Sequence, residues 1–166
     1  VAWVNIPIAC QEDGMSLYLV QHGRTLPEEV DPGKGLSPEG RADVERIAGT
    51  AKHYGVHVSE IWQSGKKRAR ETAEIMHSVV GSDRGIVEKS GMDPKDDVVL
   101  FSGMVPDDDI MLVGHMPFMS RLASFLVTGS VDRPIMKFQN AGIVCLGREP
   151  DSKIWIIRWT LMPAIR

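Results

Sequence analysis

Residues 16–23 read SLYLVQHG, and residues 110–115 read IMLVGH. Each is a short run of branched, aromatic or leucine side chains that ends in a histidine beside a glycine. Four or five consecutive apolar residues bounded by glycine mark a strand buried on both faces, as in a parallel sheet. A strand that runs into a polar loop delivers its last residues to the carboxyl edge of the sheet, where ligands of open α/β sheets bind. If the two strands are neighbours, both imidazoles, His22 and His115, reach one rim.

The segments between these strands have the period of helices. Ser37 is a good N-cap, Pro38 suits a first helical position, and Val44, Ile47, Ala48, Ala51 and Tyr54 recur at helical spacing before Gly55. Val58–Gln63 reads as a second strand and Lys66–Val80 as a second helix, with Ala69, Ala73, Met76 and Val80 on one face. Ile86–Glu88 reads as a short strand. Pro94 opens a third helix through about Gly103, and Pro117–Val127 forms a fourth. Residues 142–148 and 153–161 alternate well enough for two strands joined by a turn over Glu149-Pro150-Asp151-Ser152. Strands alternating with helices predict a three-layer α/β/α sandwich with a largely parallel sheet and a mixed edge.

The chain has 166 residues, a length suited to one domain with a real core. Residues 1–14 precede the first strong strand and are read as an N-terminal extension, leaving 15–166 as the single domain. Nineteen basic and 22 acidic residues give a net charge of −3, which argues against a nucleic-acid or membrane-surface binder. The two cysteines, Cys10 and Cys145, have no metal-ligand spacing, so no metal or cofactor is expected. With no secretory signal and no apolar run long enough to span a bilayer, the expected location is the cytoplasm.

A third strand end, near Ser64, leads into Lys66, Lys67, Arg68 and Arg70 at a helix start. Cations beside free backbone N–H groups favour an anion. Two histidines with clustered guanidinium groups make a phosphate pocket in which a neutral imidazole can attack phosphorus. Each element has an ordinary reading, as a loop histidine or a solvated cationic face. Their shared placement at strand ends is what favours the functional one. His53, His57 and His77 have no such context.

LYLVQHGRT resembles the LYLVRHGET signature of the histidine phosphatase (phosphoglycerate mutase-like) superfamily. Residues 64–73, SGKKRARETA, resemble its SPLLRARQTA block, and LVGHMP resembles the block carrying its second histidine. The small size and the GLSPEG run before the first helix resemble the SixA-type phosphohistidine phosphatases. The resemblance implies a phosphoglycerate mutase-like fold. It implies His22 as the phosphorylated nucleophile, Arg68 as a phosphate-binding arginine and His115 as the second histidine at the transferring group. Lys34 falls where SixA-like chains often place another phosphate-binding arginine. Substrates would be a phosphorylated protein, phosphohistidine above all, or a small phosphorylated molecule, with inorganic phosphate as product.

Two departures stand out. The first motif reads QHG rather than RHG, so Gln21 brings hydrogen bonds without charge, a loss of about 1–2 kcal/mol of phosphate stabilisation. Arg24 replaces the common glutamate and could restore part of the charge. The insertion that carries a general acid in larger relatives is also short here. Glu88, Asp93, Asp96 and Asp97 lie in that stretch, none in a recognisable donor context. A phosphorylated imidazole needs less acid help than an alkoxide. The alternatives are a small-molecule phosphomonoesterase and a non-catalytic phosphoryl-binding regulatory module.

Overall fold

The computed structural model describes residues 14–148 and 152–164. Its elements follow the chain as β1 (Met15–Gln21), α1 (Pro38–His53), β2 (Glu60–Gln63), α2 (Lys67–Val79), β3 (Ile86–Glu88), α3 (Val98–Ser102), β4 (Ile110–Gly114), α4 (Phe118–Thr128), β5 (Ile143–Arg148) and β6 (Trp155–Leu161). One sheet runs in the order β3-β2-β4-β1-β5-β6. Neighbours among β3, β2, β4 and β1 are parallel, whereas β5 is antiparallel to both β1 and β6. The expected mixed edge is therefore the last hairpin. Its turn residues 149–151 lie outside the described residues, as does most of the N-terminal extension, Cys10 included.

Successive side chains of a strand face opposite ways, and the sequence uses both faces. Tyr18, Val20, Met111 and Val113 meet Val44, Ile47, Ala48 and Ala51 of α1 and Ala69, Ala73 and Met76 of α2. Leu17, Leu19, Ile110 and Leu112 meet Phe101 of α3 and Phe118, Met119, Leu122 and Ala123 of α4. Burial on both sides is why β1 and β4 are apolar throughout rather than alternating.

The expected third helix is shorter than its sequence suggested. Asp97 is its N-cap, accepting from Val99 N at 2.8 Å and Leu100 N at 3.2 Å. Pro94 belongs instead to a turn closed by Asp96, whose carboxylate accepts from Asp93 N at 2.7 Å. Two adjacent aspartates compete for local amides and move the helix start past the proline.

Ser37 caps α1 by accepting from Gly40 N at 3.0 Å, and Gly55, at φ +74°, ends that helix. Gly40 has a second task. A Cβ there would collide with Arg24 O, so α1 begins in direct backbone contact with the loop that follows His22. Gly23 is equally confined: its Cβ would lie 2.9 Å from both Leu36 and Val44 side-chain carbons. The glycines flanking the first histidine loop thus let a helix close over it.

Candidate active site

The register pairs Gln21 with Gly114 across β1 and β4, so His22 and His115 are the next residues off adjacent parallel strands. His22 N donates to Gly114 O at 3.1 Å and extends the ladder by one bond. The two rings lie with centroids 5.0 Å apart.

His22 is held from four directions. Its Nδ1–H donates to Gly23 O at 2.7 Å, which fixes the tautomer and leaves a lone pair on Nε2. That lone pair accepts from Arg68 Nε at 3.1 Å. Its backbone carbonyl accepts from Asn140 Nδ2 at 2.9 Å. Gly23 N donates to Thr72 Oγ1 at 3.1 Å, and Thr72 in turn donates to Arg68 O at 2.7 Å, so one buried hydroxyl ties the histidine loop to the first turns of α2.

Burial pushes the His22 imidazole down to about 4, with the Arg68 cation adding to the effect and the Gly23 carbonyl opposing it. His115 is only 2% exposed. Burial, then the neighbouring His22, Arg68 and Lys66, push it down to about 3. Both rings are neutral at pH 7, so the His22 Nε2 lone pair rests on the Arg68 guanidinium rather than on a proton. Ser64 Oγ lies 2.5 Å from His115 Nε2, while His115 Nδ1 is buried without a hydrogen-bond partner among the described residues.

The basic run at the start of α2 divides by partner. Lys66 pairs with Asp93 at 2.7 Å and Lys67 with Asp31 at 2.7 Å, leaving Arg68 turned to His22. Two of its cations are thus matched by carboxylates, unlike a patch built for nucleic acid. The structure therefore brings His22, Arg68 and His115 together. Lys34 and Arg24 have other described partners: Lys34 Nζ pairs with Glu28 at 2.7 Å, and Arg24 Nη2 lies 3.7 Å from Asp43. Gln21 lines a cavity with Arg24, Lys137 and Asn140.

Of Glu88, Asp93, Asp96 and Asp97, Asp93 is coupled to the site. Its charge is felt by both Arg68 and His115. Lys66 holds its carboxyl below the usual carboxylate range, so it is ionised and has no proton to give.

Residues 17–91 match the model of the histidine phosphatase superfamily, branch 1. The resemblance read from LYLVQHGRT and the SGKKRARETA block lies inside that segment. The match ends before His115, which joins the site through the pairing of β4 with β1. No curated protein sequence matches the chain. Among solved structures, the chain is similar to the protein histidine phosphatase SixA complexed with tungstate, at a TM-score of 0.79 and 19% identity, covering 90% of this chain and 97% of that one. It is similar to a mycobacterial glucosyl-3-phosphoglycerate phosphatase at a TM-score of 0.65 and 16% identity, covering 86% and 96%. A phosphoglycerate mutase from Plasmodium falciparum gives 0.66 and 15%, covering 89% and 90%. The phosphoglycerate mutase-like sandwich is thus the fold of this chain, and the family match supports a phosphatase. Neighbours named for such different substrates show that the fold does not choose among them.

Four residues of the site lay outside the sequence assignment. Ser64 and Thr72 sit inside the quoted block, so their position was visible but not their task. Asp93 has no donor context in the sequence. Asn140 lies in an aperiodic loop far along the chain and gave no signal.

Proposed function

We propose that this chain is a metal-independent, cytoplasmic phosphatase that takes a phosphoryl group from phosphohistidine on a protein. The observation that carries the reading is the tautomer of His22: Nδ1–H is committed to Gly23 O, and the Nε2 lone pair faces Arg68. In the first step Nε2 attacks phosphorus and the P–N bond to the substrate imidazole breaks; that ring, protonated on its other nitrogen, takes the electron pair and leaves as neutral imidazole. In the second, water attacks phospho-His22, a P–O bond forms, the P–Nε2 bond breaks, and inorganic phosphate departs. Arg68 stabilises the charge on the transferring oxygens, with His115 beside it.

The phosphohistidine substrate class is favoured by the ionised Asp93. An alkoxide leaving group needs a proton donor, and this carboxylate has none to offer; an imidazole leaves without one. The test is turnover by the purified chain, with EDTA present, of a phosphohistidine protein and of p-nitrophenyl phosphate. A higher kcat/KM on the phosphohistidine protein is expected. Preference for the ester would assign a phosphomonoesterase. Phosphate binding without turnover of either would assign a regulatory phosphoryl-binding module.

A further inference from the structure

The loop from α4 to β5 is pinned to the nucleophile: Asn140 donates to His22 O, and Ala141 N donates to Gln21 O at 2.9 Å. Beside this anchor lie two cavities, of about 320 Å³ and 630 Å³. Both are lined by Gln21, Lys137 and Phe138, so they form one trough divided by the Lys137-Phe138 step. The smaller part carries Arg24, Gln139 and Asn140. The larger, more open part is walled by Met116, Pro134, Ile135 and Met136, with Ser120 as its one other polar side chain.

The trough starts at Gln21, the residue before His22, and Arg68 lines neither part of it. A trough that begins one residue from His22 is placed to take the body of a substrate whose phosphoryl group is at the histidines. Its lining decides what kind of body. A hydroxylated metabolite needs convergent hydrogen-bond partners, and the larger part offers thioethers, a proline and an isoleucine. Those side chains suit the apolar residues of a protein surface.

Charge supplies the second half of the argument. Lys137 is exposed and has no ion pair among the described residues. Arg24 is held loosely, since Asp43 lies 3.7 Å from it but 2.7 Å from Arg46. In a chain of net charge −3, this trough is flanked by Lys137, with no ion pair among the described residues, and by Arg24, whose charge reaches Asp43 at 3.7 Å and Glu39.

Resting on the phosphatase reading above, we infer that the trough between β1 and the 130–142 loop docks an acidic, apolar-faced segment of the phosphorylated protein. Lys137 and Arg24 read its carboxylates, and Met116, Ile135 and Met136 receive its apolar side chains. Gln21 and Arg24, the two departures from the family's first motif, then belong to substrate choice rather than to the phosphate clamp.

The probes are two peptides with the same apolar residues around a non-hydrolysable phosphohistidine analogue, one flanked by Asp and Glu, the other by Asn and Gln. Calorimetry should show the acidic peptide binding about fivefold tighter, the scale of one or two exposed ion pairs, with the gap closing at high salt. Lys137→Glu should reverse the preference. Equal binding of the two peptides, or an equal loss for both in Lys137→Glu, overturns the inference. So does a Lys137→Glu loss of p-nitrophenyl phosphate turnover as large as the loss of acidic-peptide binding, because Lys137 would then serve the phosphoryl group itself. The binding arm needs no catalysis. Failure of every substrate to turn over would sink the phosphatase reading while the charge preference stayed measurable.

Discussion

Acid should leave this site working long after an ordinary histidine nucleophile had been protonated. His22 is held at about 4 against an ordinary 6.5, mainly by burial. At pH 5 about 90% of His22 is then neutral, against about 3% for an unperturbed imidazole, a difference of roughly 30-fold in attack-competent enzyme. The same shift has a consequence for stability. Unfolding returns His22 to its ordinary value, so between 6.5 and 4 the unfolded chain binds a proton that the folded chain refuses. Stability therefore falls as pH falls through that window, by at most about 3 kcal/mol for a shift from 6.5 to about 4. Two measurements check this. Histidine NMR, with His22 assigned by difference against His22→Gln, should place its midpoint near 4. Urea melts from pH 7 to pH 4 should lose stability more steeply in the wild type than in His22→Gln. A His22 midpoint near 6.5, or identical pH slopes for the two proteins, would refute the reasoning, because either shows that the ring is solvated in the folded state.

Other consequences are as direct. His22→Ala should abolish the covalent phosphoenzyme and His115→Ala should slow its formation while leaving the acceptor, as read by mass spectrometry at mildly alkaline pH; a phosphoryl group found on His115 would exchange the roles. Ser64→Ala removes the hydroxyl 2.5 Å from His115 Nε2, worth about 1 kcal/mol, so kcat should fall by up to roughly tenfold and recover in Ser64→Thr. Gly40→Ala would gain about 1 kcal/mol of helix propensity but drives a methyl into Arg24 O, so urea melts should show a net loss of about 1–2 kcal/mol; a more stable variant would mean that α1 does not press on the histidine loop.

The parts of this molecule legible in sequence are those where one residue type has one physical solution. IMLV and SLYLV had to be strands because no other short element hides every side chain. Ser37-Pro38-Glu39 had to open a helix because cap, fixed φ and dipole agree there. The start of α3 was misjudged where two signals competed: Pro94 suits a first helical turn, yet Asp96 and Asp97 captured the amides that decide the matter. In the site, His22 and His115 are legible because each is the residue after a strand end, and parallel pairing converts equal offsets into proximity, while Arg68 is legible as part of the basic run that opens α2.

The partners of those residues were not legible, for a different reason. The resemblance offers Lys34 and Arg24 as cations for the phosphate; in the structure Lys34 pairs with Glu28 at 2.7 Å, and Arg24 Nη2 lies 3.7 Å from Asp43. Asn140, which grips the His22 carbonyl, is 118 residues away along the chain, and only the antiparallel return of β5 beside β1 brings it there. On the proposed reading, that return also puts substrate choice away from the motif. The first half of the chain brings His22 and Arg68 together, the proposed phosphoryl end of the site. The loop entering β5 walls the opposite side, and its residues are unconstrained by strand or helix period. If the phosphoryl chemistry is held at one set of strand ends, as proposed, substrates can change through that loop alone, provided the Asn140 bond to His22 O stays in place.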